Sequence, residues 1–330
     1  MRVKVLFGVI GLGLMACSEP DQGRLADHLN PIIPLIEEGV PVFGIAHPPY
    51  AASRRRRSGP GAGGAPPASA SQPDLAESAR ELVAYELGDY ELDDYSPANA
   101  ERYQAFMEAI LAEGGSARTH PFLAKIPIWH TDPSGASQRL TEQLNDGQVI
   151  VAMQQVETVE EVEQAISAMR FPARGGVRPE EGFGRAAAYW GLTDEEYVEK
   201  ADVWPLNPEG ELLVTTIIES REGVANARAI AALPGVAIVT VGSGTLGGVF
   251  TSTNADGERV RDQEGFDEAV ATILAACKEF GKACAYPANN PEEVEALMAD
   301  GWDFFIMQRR NQDAFDAVVA GHRLSGRSAP

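Results

Sequence analysis

The sequence predicts a (β/α)8 barrel. Strand-like apolar runs alternate with helix-like segments eight times along the chain. The strand-like runs are mostly continuous rather than alternating, as strands covered by helices on both faces are. A doubly wound open sheet could also hold eight strands, but no G-x-G-x-x-G turn follows the first of them. In a barrel, active groups belong on the loops at the strands' C-terminal ends.

The first residues read as an address. "MRVK" is a basic start, "VLFGVIGLGLMA" an apolar run too short to span a bilayer, and "LMAC" a bacterial lipobox, so residues 1–16 are a lipoprotein signal peptide and Cys17 the lipidation site. An ordinary secretory signal and a misassigned start codon are the alternatives. Ser18 after the cysteine resembles outer-membrane sorting, which predicts a protein held in the bacterial cell envelope by its lipid anchor, facing the periplasm. Residues 17–330 form one domain.

A lead-in helix over 25–38 is interrupted by Pro31 and Pro34. Strand one is "PVFGIAH". After it, residues 51–73 place four arginines among Pro, Gly, Ala and Ser, a composition that cannot bury a core. This insertion reads as disordered, either a mobile cationic lid or a tolerated linker. Strands two to eight are "ELGDYEL", "PFLAKIP", "QVIVAMQQV", "ELLVTTIIE", "VAIVTVG", "ACAYPA" and "DFFIMQ". Helices fall at 74–85, 97–114, 134–145, 158–170, 221–233, 263–280, 291–300 and 311–322, with Asp74, Ser134, Thr158 and Asn290-Pro291 as starts. A second long excursion, residues 171–211, is grouped with the mouth loops; its aromatics predict a packed, partly helical segment.

Composition narrows the function. With 330 residues, 44% of them hydrophobic, the chain can bury a large core. A net charge of −21 repels polyanions, so nucleic acid is excluded as a partner and a small molecule is favoured. Cys277 in a helix and Cys284 in the next strand are expected as two buried thiols, since such neighbours seldom align; a disulfide is the alternative an oxidising compartment permits. No CxxC or Cys/His metal spacing occurs.

Three stretches carry a resemblance: "IIESREGVANARAIAALPGVAIVTVGSGTLG", "FPARGGVRP" and "PFLAKIPIWHTDP". In order and spacing they resemble the HpcH/HpaI aldolase and citrate lyase family, from about "GVPVFGIAH" to "DFFIMQRR". The resemblance implies a metal-dependent barrel that makes or breaks a carbon–carbon bond beside a 2-oxoacid carbonyl, a small carboxylate substrate and a homo-oligomer. It also implies Mg²⁺ or Mn²⁺ held by a Glu and an Asp. Glu219 matches the Glu, but Thr245 stands at the Asp position and Ile217 where a Gln is expected; Glu157 is the candidate replacement ligand. The family's catalytic His position is taken by Asp94, with His47 and His130 as possible substitutes. Lys125 replaces a substrate-binding Arg, and Arg174, Arg178, Gly242 and Ser243 are further expected substrate contacts. Two functions follow: a divergent lyase or aldolase, or a catalytically degenerate barrel that binds a small acid or a protein from the membrane surface.

Overall fold

A computed structural model describes residues 28–50, 72–93 and 97–328. Cys17, most of the arginine-rich insertion and Asp94 lie outside the described residues. The strands are β1 Val42–Ala46, β2 Tyr90–Leu92, β3 Phe122–Ile126, β4 Ile150–Met153, β5 Leu213–Ile218, β6 Ile238–Val241, β7 Thr251–Thr253, β8 Arg259–Arg261, β9 Ala283–Pro287 and β10 Phe304–Met307. Eight close into a parallel barrel in the order β1-β10-β9-β6-β5-β4-β3-β2, while β7 and β8 pair as a separate antiparallel ribbon. The eight expected strands all contribute; the ribbon and the short helix Ser243–Val249 before it carry no apolar period that would announce them.

Helix contacts fix which residues face inward. Phe43 meets Gly321 of helix Gln312–Leu324, Phe122 packs on Tyr103 of helix Ala100–Ala112, and Ile218 touches Gly223 of helix Arg221–Ala231. These residues point outward, so their neighbours point into the barrel. Tyr90 is one of them: its ring occupies the space a Cβ at Gly44 would need, and it stacks on Phe304. In the middle of the barrel the buried hydroxyls of Thr215 and Thr240 lie 2.7 Å apart and satisfy each other.

The helices start where small polar residues can accept a backbone N–H. Asp74, Thr158, Ser220, Asp262, Asn290 and Asn311 all do so. At the fourth helix the cap is Asp132 rather than Ser134, because Pro133 takes the first helical position, where its missing N–H costs nothing.

The excursion at 171–211 lies at the opposite end from the one expected. It follows helix Val159–Met169, which runs back along the barrel, and it ends at the start of β5. Its contacts agree: Tyr189 Oη donates to His120 O before β3, and Trp190 Nε1 donates to Gly147 O before β4. Two short helices, Gly184–Trp190 and Asp194–Lys200, wrap buried Trp190, Phe171 and Tyr197 as a plug under the strand N-termini, the stabilising end of such a barrel.

The cysteines also depart from expectation. Cys284 points outward from β9 toward the last turn of helix Gln263–Glu279, and the chain returns so tightly that the Cα atoms of Cys277 and Cys284 come within 5.8 Å and their sulfurs are bonded. Among the described residues no helix is long and apolar enough to cross a membrane.

Candidate active site

Inward positions at the C-terminal ends of the strands define a mouth. Counting by twos from the barrel interior, β3 contributes Lys125, β4 leads to Gln154, β5 to Glu219 and β6 to Gly242. Ala46, Leu92 and Pro287 add apolar walls.

Glu219 is buried, at 8% exposure, yet no cation pairs with it among the described residues. Its Oε1 accepts from the backbone N–H of Gln155 at 3.1 Å. Gln155 presents that N–H from a left-handed backbone, φ 48°, which costs a non-glycine residue of order 1 kcal/mol or more. On the other side, a Cβ at position 242 would lie 2.4 Å from Glu219 Oε2 and 2.6 Å from its Cβ, so only glycine leaves room for the carboxylate. The carboxylate is thus seated between the ends of β4 and β6. With one backbone donor and no cation among the described residues, the carboxylate keeps acceptor capacity that a substrate in the mouth can use.

Lys125 is the exposed member of an otherwise buried strand. A residue in the middle of a closed barrel wall reaches solvent only through the mouth, so its side chain rises into that opening. Its carbonyl is held by Gln143 Nε2 at 3.0 Å, and Gln154 Nε2 donates to Ile126 O at 2.7 Å, fixing the backbone on either side. Gln154 was not singled out from sequence; the signal was its even spacing from the inward residues of β4.

Other expected site residues are placed elsewhere. His47 lies on the outer side of the wall, under helix Ala100–Ala112, against the rings of Tyr50, Phe106 and Phe122. Its Nε2 is 3.4 Å from Asp93 Oδ1 and its Nδ1 is 2.6 Å from Pro48 O. Burial disfavours its charged form, but the Asp93 carboxylate outweighs this and raises its pKa above the usual 6.5. These contacts make it an anchor between the wall and the helix. The described acidic residues near it are engaged as well: Asp89 pairs with Arg327, Glu91 is buried outside the wall, and Asp93 accepts from Gln148 Nε2 at 2.6 Å.

His130 sits on the loop after β3, its Nδ1 3.4 Å from Glu161 Oε2 and 4.0 Å from Glu157 Oε2. Glu157 therefore turns toward His130 and the start of helix Val159–Met169. Arg174 and Arg178 belong to the plug at the far end. Arg174 is exposed there. Arg178 is fully buried, donating to Asn145 Oδ1 and Tyr197 Oη at 2.9 Å each with its guanidinium over the Phe171 ring. Neither approaches the mouth of its own barrel, because an insertion after a helix emerges at the strand N-termini. Ser243 opens the helix Ser243–Val249 directly above Gly242, at the rim.

A divalent cation of the kind the resemblance implies wants converging charged oxygens. Glu219 supplies one carboxylate. Thr245, exposed in the first turn of its helix, supplies a neutral hydroxyl at most, and Glu157 is engaged with His130. Among the described residues no three His, Cys, Asp or Glu side chains converge in a way that could hold a metal. The donor set does not fit a two-carboxylate site.

The pattern of the HpcH/HpaI aldolase/citrate lyase family matches residues 128–306, more than half of the chain. The chain belongs to this family. Its similar relatives are aldolases: a hydroxypyruvate/pyruvate aldolase of Chromohalobacter salexigens is 29% identical over 212 residues, covering 64% of this chain and 75% of that one. A 2-keto-3-deoxy-L-rhamnonate aldolase of Klebsiella pneumoniae is 29% identical over 177 residues, covering 52% and 60%. Among solved structures, an HpcH/HpaI aldolase/citrate lyase family protein of Burkholderia cenocepacia superposes with a TM-score of 0.61 at 18% identity, over 84% of this chain and 92% of that chain. Macrophomate synthase superposes at 0.56 and 18% identity, over 86% and 82%. At such identities the structures establish a shared fold, and the matched region contains Glu219, Gly242 and Thr245 but begins after Lys125.

Proposed function

We propose that the chain is a carbon–carbon lyase or aldolase acting on a small 2-oxoacid-type substrate. The observation that carries this reading is the pairing, in one mouth, of a buried unpaired carboxylate, Glu219, with a lysine that has no partner among the described residues. Family membership supports the reaction class, and the names of the aldolase relatives support the substrate class. An acid entering the mouth is drawn by the Lys125 ammonium. Glu219, pinned by Gln155, can accept a proton from a substrate hydroxyl as the adjacent carbon–carbon bond breaks. Because the donor set fits a divalent cation poorly, no step is assigned to one.

The competing reading is a barrel that binds small acids without turning them over, favoured by the neutral Thr245 where the resemblance expects an Asp. The two separate in one experiment. Purified protein is offered a panel of 4-hydroxy-2-oxoacids, with and without chelator, and release of pyruvate or a related oxoacid is followed. Release that Glu219→Gln slows sharply supports the lyase; saturable binding without release supports the acid-binding barrel. The lipobox further suggests that either activity works at the envelope, tethered through Cys17.

A further inference from the structure

We infer that Lys125 is the group that activates the substrate's carbonyl, by forming a protonated imine with it. The inference rests on the lyase reading and supplies the carbonyl activation that the poor metal donor set leaves unaccounted for.

Four lysines lie among the described residues, and three have their amines engaged. Lys200 Nζ is 3.6 Å from Glu209 Oε2, Lys278 Nζ is 2.7 Å from Asp303 Oδ2, and Lys282 Nζ donates to Leu233 O at 3.2 Å. Lys125 Nζ makes no hydrogen bond or ion pair among the described residues. It is also the lysine on a barrel strand at an inward position, with the mouth as its route to solvent. Beneath it the interior is closed by Leu123, Ile150 and Leu213, all nearly or fully buried, so water reaches the amine from one side only. An amine on a rigid strand, above a dry apolar floor and below an open mouth, is placed to add to a ketone and to shelter the product from hydrolysis.

The chemistry balances with the groups present. The Lys125 ammonium and the C2 carbonyl of a 4-hydroxy-2-oxoacid condense; the carbonyl oxygen leaves as water with two of the ammonium protons, and the third stays on the iminium nitrogen. Glu219 takes the proton of the C4 hydroxyl. The C3–C4 bond breaks, C4 leaves as an aldehyde, and the bond's electron pair moves to the iminium to give an enamine. Glu219 returns its proton to C3, and one water hydrolyses the imine, releasing the shortened 2-oxoacid and restoring the ammonium. The iminium is the electron sink that a cation would otherwise provide.

The test uses the whole protein, pyruvate and borohydride. Reduction should fix a pyruvyl adduct that peptide mapping places on Lys125, and Lys125→Arg should form none. The same variant separates this role from simple attraction of a carboxylate: arginine keeps the charge but cannot form the imine, so cleavage should fall to background while far-ultraviolet circular dichroism stays unchanged. Glu219→Gln should still form the adduct yet cleave slowly. Cleavage retained in Lys125→Arg, an adduct mapped to another lysine, or a wild type that cleaves without any trappable adduct overturns the inference and leaves the lyase reading standing. A wild type that neither cleaves nor forms an adduct overturns both. If Lys125→Arg does not fold, adduct mapping on the wild type decides alone.

Discussion

Glu91 offers a quantitative test of how the barrel wall is packed. It is 1% exposed, it points outward between β2 and the surrounding helices, and neither carboxylate oxygen has a hydrogen-bond partner. Arg310 Nη1 lies 3.7 Å from its Oε2, but that guanidinium also donates to Glu81 Oε1 and Ala46 O at 3.2 Å each. Burial raises the Glu91 pKa from 4.5 to about 8, with Arg310 and then His47 opposing the rise. The native state thus holds a proton that the unfolded chain releases near 4.5. This contribution to stability is complete below the unfolded value and is lost as pH climbs to about 8. At 1.36 kcal/mol per pH unit, the span amounts to on the order of 5 kcal/mol.

Glu91→Gln keeps the shape and removes the titration. The stability of the variant minus that of the wild type should therefore increase steadily from about pH 5 to about pH 9, approaching that magnitude at the alkaline end. His47, also raised, loses its contribution as pH rises through its own folded pKa, but it is present in both proteins and largely cancels. Urea unfolding followed by tryptophan fluorescence, repeated across the range, reads the difference directly. Two parallel pH profiles would mean that Glu91 is ionised in the native protein and that Arg310 outweighs its burial.

Three further outcomes follow from the geometry. Gly242→Ala drives a methyl into Glu219 and should cost about 1–3 kcal/mol in denaturant unfolding and lower kcat more than it raises KM, since the carboxylate must move. Arg174→Ala, exposed on the plug at the far end, should leave kcat/KM for oxoacid cleavage and the melting temperature unchanged; a large loss of activity would show that the plug of one copy completes the mouth of another. Replacing Cys277 and Cys284 together by Ala should lower stability by on the order of 2 kcal/mol, the value for opening so short a loop, and calorimetry with and without reductant should show that only the wild type responds.

The barrel and the order of its strands were legible because both are local and cumulative. Runs such as "LLVTTIIE" and "AIVTV" need two covered faces wherever they fold, and helices between them with an Asp, Thr or Asn at the start can only lie on the outside. Glu219 and Lys125 were legible as candidates through the family resemblance, which places both at strand C-termini, where such a barrel exposes chemistry. The rest depended on two facts that no short stretch of sequence carries. One is the phase of each strand: His47 stands at a strand end as Glu219 does and Glu91 lies within β2, yet both fall on outward positions, so packing against helices turns them into wall anchors. The other is chain direction. Arg174 and Arg178 lie in the long excursion between β4 and β5, but they follow a helix instead of a strand and emerge at the opposite end of the barrel. Seating Glu219 required three strands at once: the left-handed Gln155 N–H from β4, the carboxylate from β5, and the missing side chain at Gly242 on β6. Each residue was in plain view in the sequence, but their convergence exists only when the sheet closes.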